Sequence, residues 1–155
     1  MRPLRASIDI LIVTVAAGAL LGGLRLYQSS LSESSDIERT QAAISRLDAE
    51  VGIRSALGGP DLNEYGHPPS LDPDWFDGAM PLNALAAGDT PWIEIAIPGE
   101  WSRDHPRDPT LDGGRGAMFW YNPKRGLVRA RVPAQASDES SQSLYAAVNG
   151  SEWTP

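Results

Sequence analysis

The chain has 155 residues, 41% of them hydrophobic, and carries 13 Lys and Arg against 20 Asp and Glu for a formal net charge of -7. That length holds one modest domain plus one further segment and leaves no room for a second catalytic domain. The absence of cysteine excludes disulfides, thiol catalysis, a lipid-modified N-terminal cysteine and Cys-ligated zinc.

The charge is unevenly divided. Residues 1–25 hold Arg2, Arg5 and Arg25 against Asp9 alone, so the remaining ten basic and nineteen acidic residues make the rest of the chain -9. Such a surface repels nucleic acid and anionic lipid, which excludes nucleic acid as a partner.

The first element in chain order is an apolar run. From Ile10 to Leu24 every residue is apolar, glycine or threonine, and with Ile8 and Asp9 the stretch is 17 residues. That is the short end of a membrane-spanning helix, roughly 25 Å long. Arg2 and Arg5 precede the run and an acidic region follows. By the positive-inside bias this predicts a single pass through an inner membrane, with a cytoplasmic N-terminus and a periplasmic C-terminal domain. Residues 1–25 thus read as a cytoplasmic stub and transmembrane helix. The competing reading is a signal peptide cut after Ala19, within Ala17-Gly18-Ala19, releasing a secreted soluble domain. Asp9 stands at the mouth of the run, where a carboxylate is costly unless paired. Its obvious partner is the N-terminal amine of a neighbouring copy, an ion pair that sets the register between apolar helices in an assembly. The plainer reading puts Asp9 in the headgroup layer, favouring the helix N-terminus electrostatically.

Residues 26–57 predict an amphipathic helix. Ile37, Ile44 and Val51 recur at sevenfold spacing with Leu47 between them, and charged residues occupy the other faces. This stripe packs either on the chain's own sheet or in a coiled coil with a partner. Ser35 followed by Glu38 offers a cap that would break the helix near Ser34, but near continuity is expected. Gly58-Gly59-Pro60 ends it, first by a left-handed cap and then by a residue that cannot continue the hydrogen bonding. Residues 58–90 are rich in Pro, Gly, Asp and Asn, yet Leu62, Tyr65, Leu71, Trp75, Phe76, Met80, Leu82 and Leu85 are spaced through them. They predict an ordered loop draped over a core.

Residues 91–155 predict a small antiparallel sheet with a C-terminal tail. "WIEIAI", Trp92 to Ile97, has β-branched and aromatic content between prolines. "AMFWY", Ala117 to Tyr121, and "LVRARV", Leu127 to Val132, flank the turn-rich "NPKRG" and read as a hairpin. Leu127, Arg129 and Arg131 alternate with Val128, Ala130 and Val132, giving one basic face that pairs with local acids and one apolar face. "SLYAAVNG" reads as a short last strand or a helical turn. The expected fold is α+β: a long N-terminal helix, membrane-embedded in its first half and amphipathic in its second, packed on a small antiparallel β-sheet.

His67 and His105 lie in Pro-flanked loops, and the chain contains no HExxH, GxSxG, phosphate-binding loop or dinucleotide glycine pattern. The expectation is therefore a noncatalytic protein with no cofactor and no small-molecule substrate. "DPDWFD", Asp72 to Asp77, and the set Asp104, Asp108 and Asp112 offer oxygen ligands suited to calcium. Neither matches a calcium loop with its glycine, and both are read as solvated acidic surface.

The order of these parts resembles the type IV pilin-like proteins, in particular the pseudopilins of type II secretion systems, over nearly the whole chain. Asp9 in "SIDILIVTVAAGAL" stands where those proteins carry an acid near the start of an apolar helix, and Gly18 falls where that helix often has glycine. "DLNEYGHPP", "MPLNAL" and above all "FWYNPKRGLVRARVP", Phe119 to Pro133, are similar to the loop and sheet-forming hairpin of secretion pseudopilins. The family's leader-peptidase motif is missing, with Leu4 and Arg5 at the matching positions. Either the leader is retained or this sequence begins differently. The resemblance implies a noncatalytic subunit of a secretion or pilus-type assembly, anchored by its N-terminal helix. Its partners would be other pilin-like subunits, secretion machinery proteins and the membrane. Asp9 would set helix register, and Ile37, Ile44, Leu47 and Val51 would join helix to sheet. The alternative is a single-pass adaptor that binds a periplasmic protein without polymerising.

Overall fold

The computed structural model describes residues 31–111 and 116–154. The chain divides into two units at Ser35 and Asp36, and the architecture below is that of the second, Asp36–Pro155. Asp9 and the apolar run around it lie outside the described residues.

Helix α1 occupies residues 31–57 without a break, so Ser35 starts no new helix. Its stripe points into the core: Ile44, Leu47 and Val51 are buried, and Ile37 packs partly buried on the same cluster. Gly58 ends the helix as the sequence predicts, at φ +69° with its N–H donating to Arg54 O at 3.2 Å. That conformation costs a glycine nothing because it has no Cβ.

The strands are β1 (Ile93–Ile95), β2 (Thr110–Leu111), β3 (Phe119–Asn122), β4 (Leu127–Ala130) and β5 (Val132–Pro133). They form a three-stranded sheet of order β1-β3-β4 and a two-stranded pair β2-β5. The hairpin β3–β4 is antiparallel as expected, turning through Gly126 at φ +63°. The sheet as a whole is mixed and not antiparallel, because β1 pairs parallel with β3. A parallel neighbour needs a long crossover, and residues 96–118 supply one whose described residues include no α-helix. β5 leaves the hairpin at Arg131 to pair parallel with β2.

The register sorts side chains into two faces. The rows Ile93–Phe119–Ala130 and Ile95–Tyr121–Val128 share one face, and the row Glu94–Trp120–Arg129 lies on the other. The first face meets α1 and helix α2 (Asp138–Asn149) in one cluster that includes Leu47, Val51, Leu144, Tyr145 and Val148. α2 takes in most of "SLYAAVNG", for which strand and helical turn stood open, and starts five residues earlier, at Asp138. Ser137 Oγ accepts from Ser140 N at 3.2 Å, acids fill the first turn, and Gly150 closes the helix at φ +65°.

The localisation expected from the sequence is corrected here. Among the described residues no helix is long and apolar enough to cross a membrane. The long helix that is described, α1, carries Glu33, Asp36, Glu38, Arg39, Arg46, Glu50 and Arg54 between its apolar positions, and hydrocarbon does not accommodate so many charges. A single inner-membrane pass with a periplasmic domain therefore finds no support.

Candidate functional site

The loop between α1 and β1 is fixed by side-chain amides. Asn83 is 2% exposed and donates through Nδ2 to Arg131 O at 2.7 Å and Met118 O at 3.2 Å, while its Oδ1 accepts from Leu85 N at 3.0 Å. Thr40 Oγ1 of α1 lies 3.1 Å from Asn83 Oδ1 and accepts from Ala84 N at 3.1 Å. One buried amide thus joins helix, loop and sheet, and a buried network satisfied this fully fixes a single arrangement. Asn63 does the same at the hairpin turn, with Nδ2 donating to Pro123 O at 2.7 Å and Oδ1 accepting from Tyr65 N and His67 N. Sequence reasoning named neither asparagine. The signal was faint: an asparagine in a Pro- and Gly-rich loop is ordinarily a turn residue.

The two histidines lie in separate structural settings. His67 Nδ1 sits 3.0 Å from Ser55 Oγ and close against Gly126, where an added Cβ would come within 2.7 Å of it. His105 is buried, with Nδ1 3.2 Å from Tyr145 Oη. Burial and the nearby Arg129 hold His105 below the usual histidine range, and burial pushes the Tyr145 phenol up. Both shifts favour the neutral forms of the imidazole and the phenol.

Three of the acids considered as calcium ligands, Asp72, Asp104 and Asp108, have other partners. Asp72 Oδ1 caps a short 3₁₀ turn at Pro73–Phe76 by accepting from Asp74 N at 3.0 Å. Asp104 pairs with Arg125 at 2.9 Å, and Asp108 accepts from Thr110 N and Oγ1. Asp112 lies outside the described residues. Among the described residues no group of three or more His, Asp or Glu is arranged to hold a metal.

On the second face of the sheet the arginines diverge. Arg131 is 4% exposed and meets Glu94 at 3.0 Å, the local acid pairing expected for this face, and its Nε donates to Asp108 O at 2.9 Å. Arg129 donates to Val128 O at 3.0 Å, and no carboxylate among the described residues lies within ion-pair distance. Trp120, across the ladder from Arg129, is fully buried with its indole N–H unpaired. A cleft of about 370 Å³ opens where α1 ends, lined in part by Arg54, Leu57, Pro60, Pro68 and Trp75. The Arg54 guanidinium lies over the Trp75 ring at 3.9 Å and pairs with Glu50 at 2.8 Å.

No family model, curated protein or solved structure matches the chain. The likeness to secretion pseudopilins therefore rests on the quoted residues.

Proposed function

We propose that this chain is a noncatalytic, pilin-like subunit of the secretion-pseudopilin kind, which works by assembling with other protein subunits. The observation that carries the reading is the burial of Ile44, Leu47 and Val51 of α1 on a small sheet built around "FWYNPKRGLVRARVP". Helix, irregular loop and hairpin follow one another in the order that the sequence resemblance implies. Its partners in this reading are other pilin-like subunits or proteins of a secretion machinery, and Asp9 sets register between neighbouring helices.

The test uses the absence of native cysteine. A full chain carrying Ile10→Cys, oxidised in the cells that make it, should yield crosslinked dimers and higher multiples. Monomer alone, together with a different protein retained by the chain, would overturn the reading in favour of a non-polymerising adaptor.

A further inference from the structure

The two edges of the three-stranded sheet are finished differently. On β4 the outward N–H groups belong to Val128 and Ala130. Asp48 Oδ1 accepts from Val128 N at 3.3 Å, Asn149 Oδ1 accepts from Ala130 N at 2.8 Å, and Asn149 Nδ2 donates to Ala130 O at 3.0 Å. One residue from each helix thus closes that edge, a device that keeps an exposed strand from templating another.

β1 has no such closure. Phe119 N donates to Trp92 O at 3.0 Å and Ala96 N donates to Tyr121 O at 2.8 Å. The alternation of a parallel ladder then turns the N–H and C=O groups of Ile93 and Ile95 away from β3. Among the described residues nothing bonds to them. Apolar side chains flank the row at both ends. Ile97 is 62% exposed, and Leu82, 52% exposed, follows Pro81, whose carbonyl accepts from Trp92 Nε1 at 2.8 Å.

The stretch of chain that carries this edge is acidic. From Gly58 to Ser102 the chain holds eight acids (Asp61, Glu64, Asp72, Asp74, Asp77, Asp89, Glu94 and Glu100) and not one Lys or Arg. The basic groups that reach this stretch from elsewhere are engaged: Arg46 on Ala79 O, Arg54 over Trp75, Lys124 over Tyr65, Arg125 on Ser102 O and Asp104, Arg131 on Glu94, and Arg107 on Glu100. A second copy laid along the same edge would bring the same acids against it, and like charges across a strand pair repel.

We propose that the outer edge of β1 is a strand-addition site for an extended segment of a partner protein in which apolar and basic residues alternate. Unpaired main-chain groups select an extended backbone, the isoleucines select apolar side chains on one face, and the acid excess of the stretch that holds β1 selects Lys or Arg on the other. Among the described residues the edge is open whether or not the chain polymerises, so the site does not depend on the pilin-like reading.

The probe is a fluorescein-labelled heptapeptide alternating Lys and Val, titrated into the full chain by anisotropy and followed by amide hydrogen exchange. In the free protein the Ile93 and Ile95 amides should exchange faster than Glu94 and Ala96, which face β3. Saturating peptide should slow the first pair by about tenfold or more and leave the second pair nearly unchanged. N-methylation of alternate peptide amides, which blocks main-chain pairing and leaves the protein untouched, should weaken binding by about tenfold or more. An alternating Glu and Val peptide should not bind, and Ile97→Lys should weaken the Lys and Val peptide. The proposal is overturned if the N-methylated peptide binds as well as the parent, if the Glu and Val peptide binds equally, or if Ile93 and Ile95 are already protected in the free protein. Protection that grows with protein concentration alone would assign the edge to a second copy and overturn it as well.

Discussion

The two faces of the three-stranded sheet are covered by opposite means. One face, carrying Phe119, Tyr121, Val128 and Ala130, is closed by two helices whose contributions are nearly all apolar. The other, carrying Trp120, Asn122 and Arg131, is crossed by the irregular stretch between β1 and β3. That stretch is held by Asn122 Nδ2 on Trp101 O and Arg103 O, at 3.0 and 2.8 Å, and by Arg131 Nε on Asp108 O. Apolar burial is non-directional and scales with the area removed from water. A loop cover depends on directional bonds whose unmade groups are expensive. The helix face should therefore carry most of the stability, and the loop face most of its dependence on conditions.

The sharpest way to break this contrast is at Leu47, which is fully buried. Leu47→Ala should cost about 2–5 kcal/mol in urea denaturation, the range for emptying a packed leucine site. A loss well under that range would mean that α1 rests loosely on the sheet. A smaller effect is expected where the helix face meets the loop: Asn83→Ala leaves Arg131 O and Leu85 N without their partner and Met118 O with only Arg131 N. The cost is about 1–3 kcal/mol for buried polar groups stripped of bonds, measured in the same way. If Asn83→Ala were the more damaging of the two, the polar join and not the apolar layer would be what holds the domain together.

The loop face should also respond to pH through His105. Its folded pKa is lowered by burial and by Arg129, so the unfolded chain takes up a proton on this histidine before the folded protein does. The stability it contributes is present above the unfolded value of about 6.5 and is lost as pH falls below it. Tm should drop between pH 7.5 and 5.5, and His105→Gln should flatten that part of the profile. A profile unchanged by the substitution would place the pH dependence elsewhere.

The apolar face was legible in the sequence because its signals are periodic. The sevenfold spacing of Ile37, Ile44 and Val51 marked α1, the glycines after Leu57 marked its end, and the alternation in "LVRARV" told the buried face of β4 from the basic one. The loop face was not legible, since its cover depends on which carbonyls Asn122 and Arg131 reach, and those lie about twenty residues away in sequence. The parallel pairing of β1 was hidden for the same reason: a local pattern shows a strand but not the direction from which a long crossover enters its neighbour. α2 was half visible. Ser137, Asp138 and Glu139 are start signals, and Ser141, Leu144, Tyr145 and Val148 repeat at helical spacing, but three serines and a valine lower the helix propensity of the same segment. Burial against β4 and β5 decided it. Asp9 lies outside the described residues, so its sequence reading remains the one given by charge and position.

The smallest expected effect falls on Asp48, where the two faces interact. It projects from α1, accepts from Val128 N at the closed edge, and feels the charge of Arg129 from the other face. Burial raises its pKa above the usual aspartate value, and the Val128 N–H and Arg129 only partly offset that rise. Between the unfolded and the raised folded pKa the folded state binds the proton more readily. Stability therefore increases as pH falls through that window, and the charge is a cost at neutral pH. Asp48→Asn keeps an acceptor for Val128 N and removes the buried charge. Its Tm at pH 7 should equal or slightly exceed that of the parent, with the difference shrinking in acid as the parent's carboxyl is protonated. A variant clearly less stable at pH 7 would mean that attraction to Arg129 outweighs the cost of burial, and that the two faces are tied by charge as well as by packing.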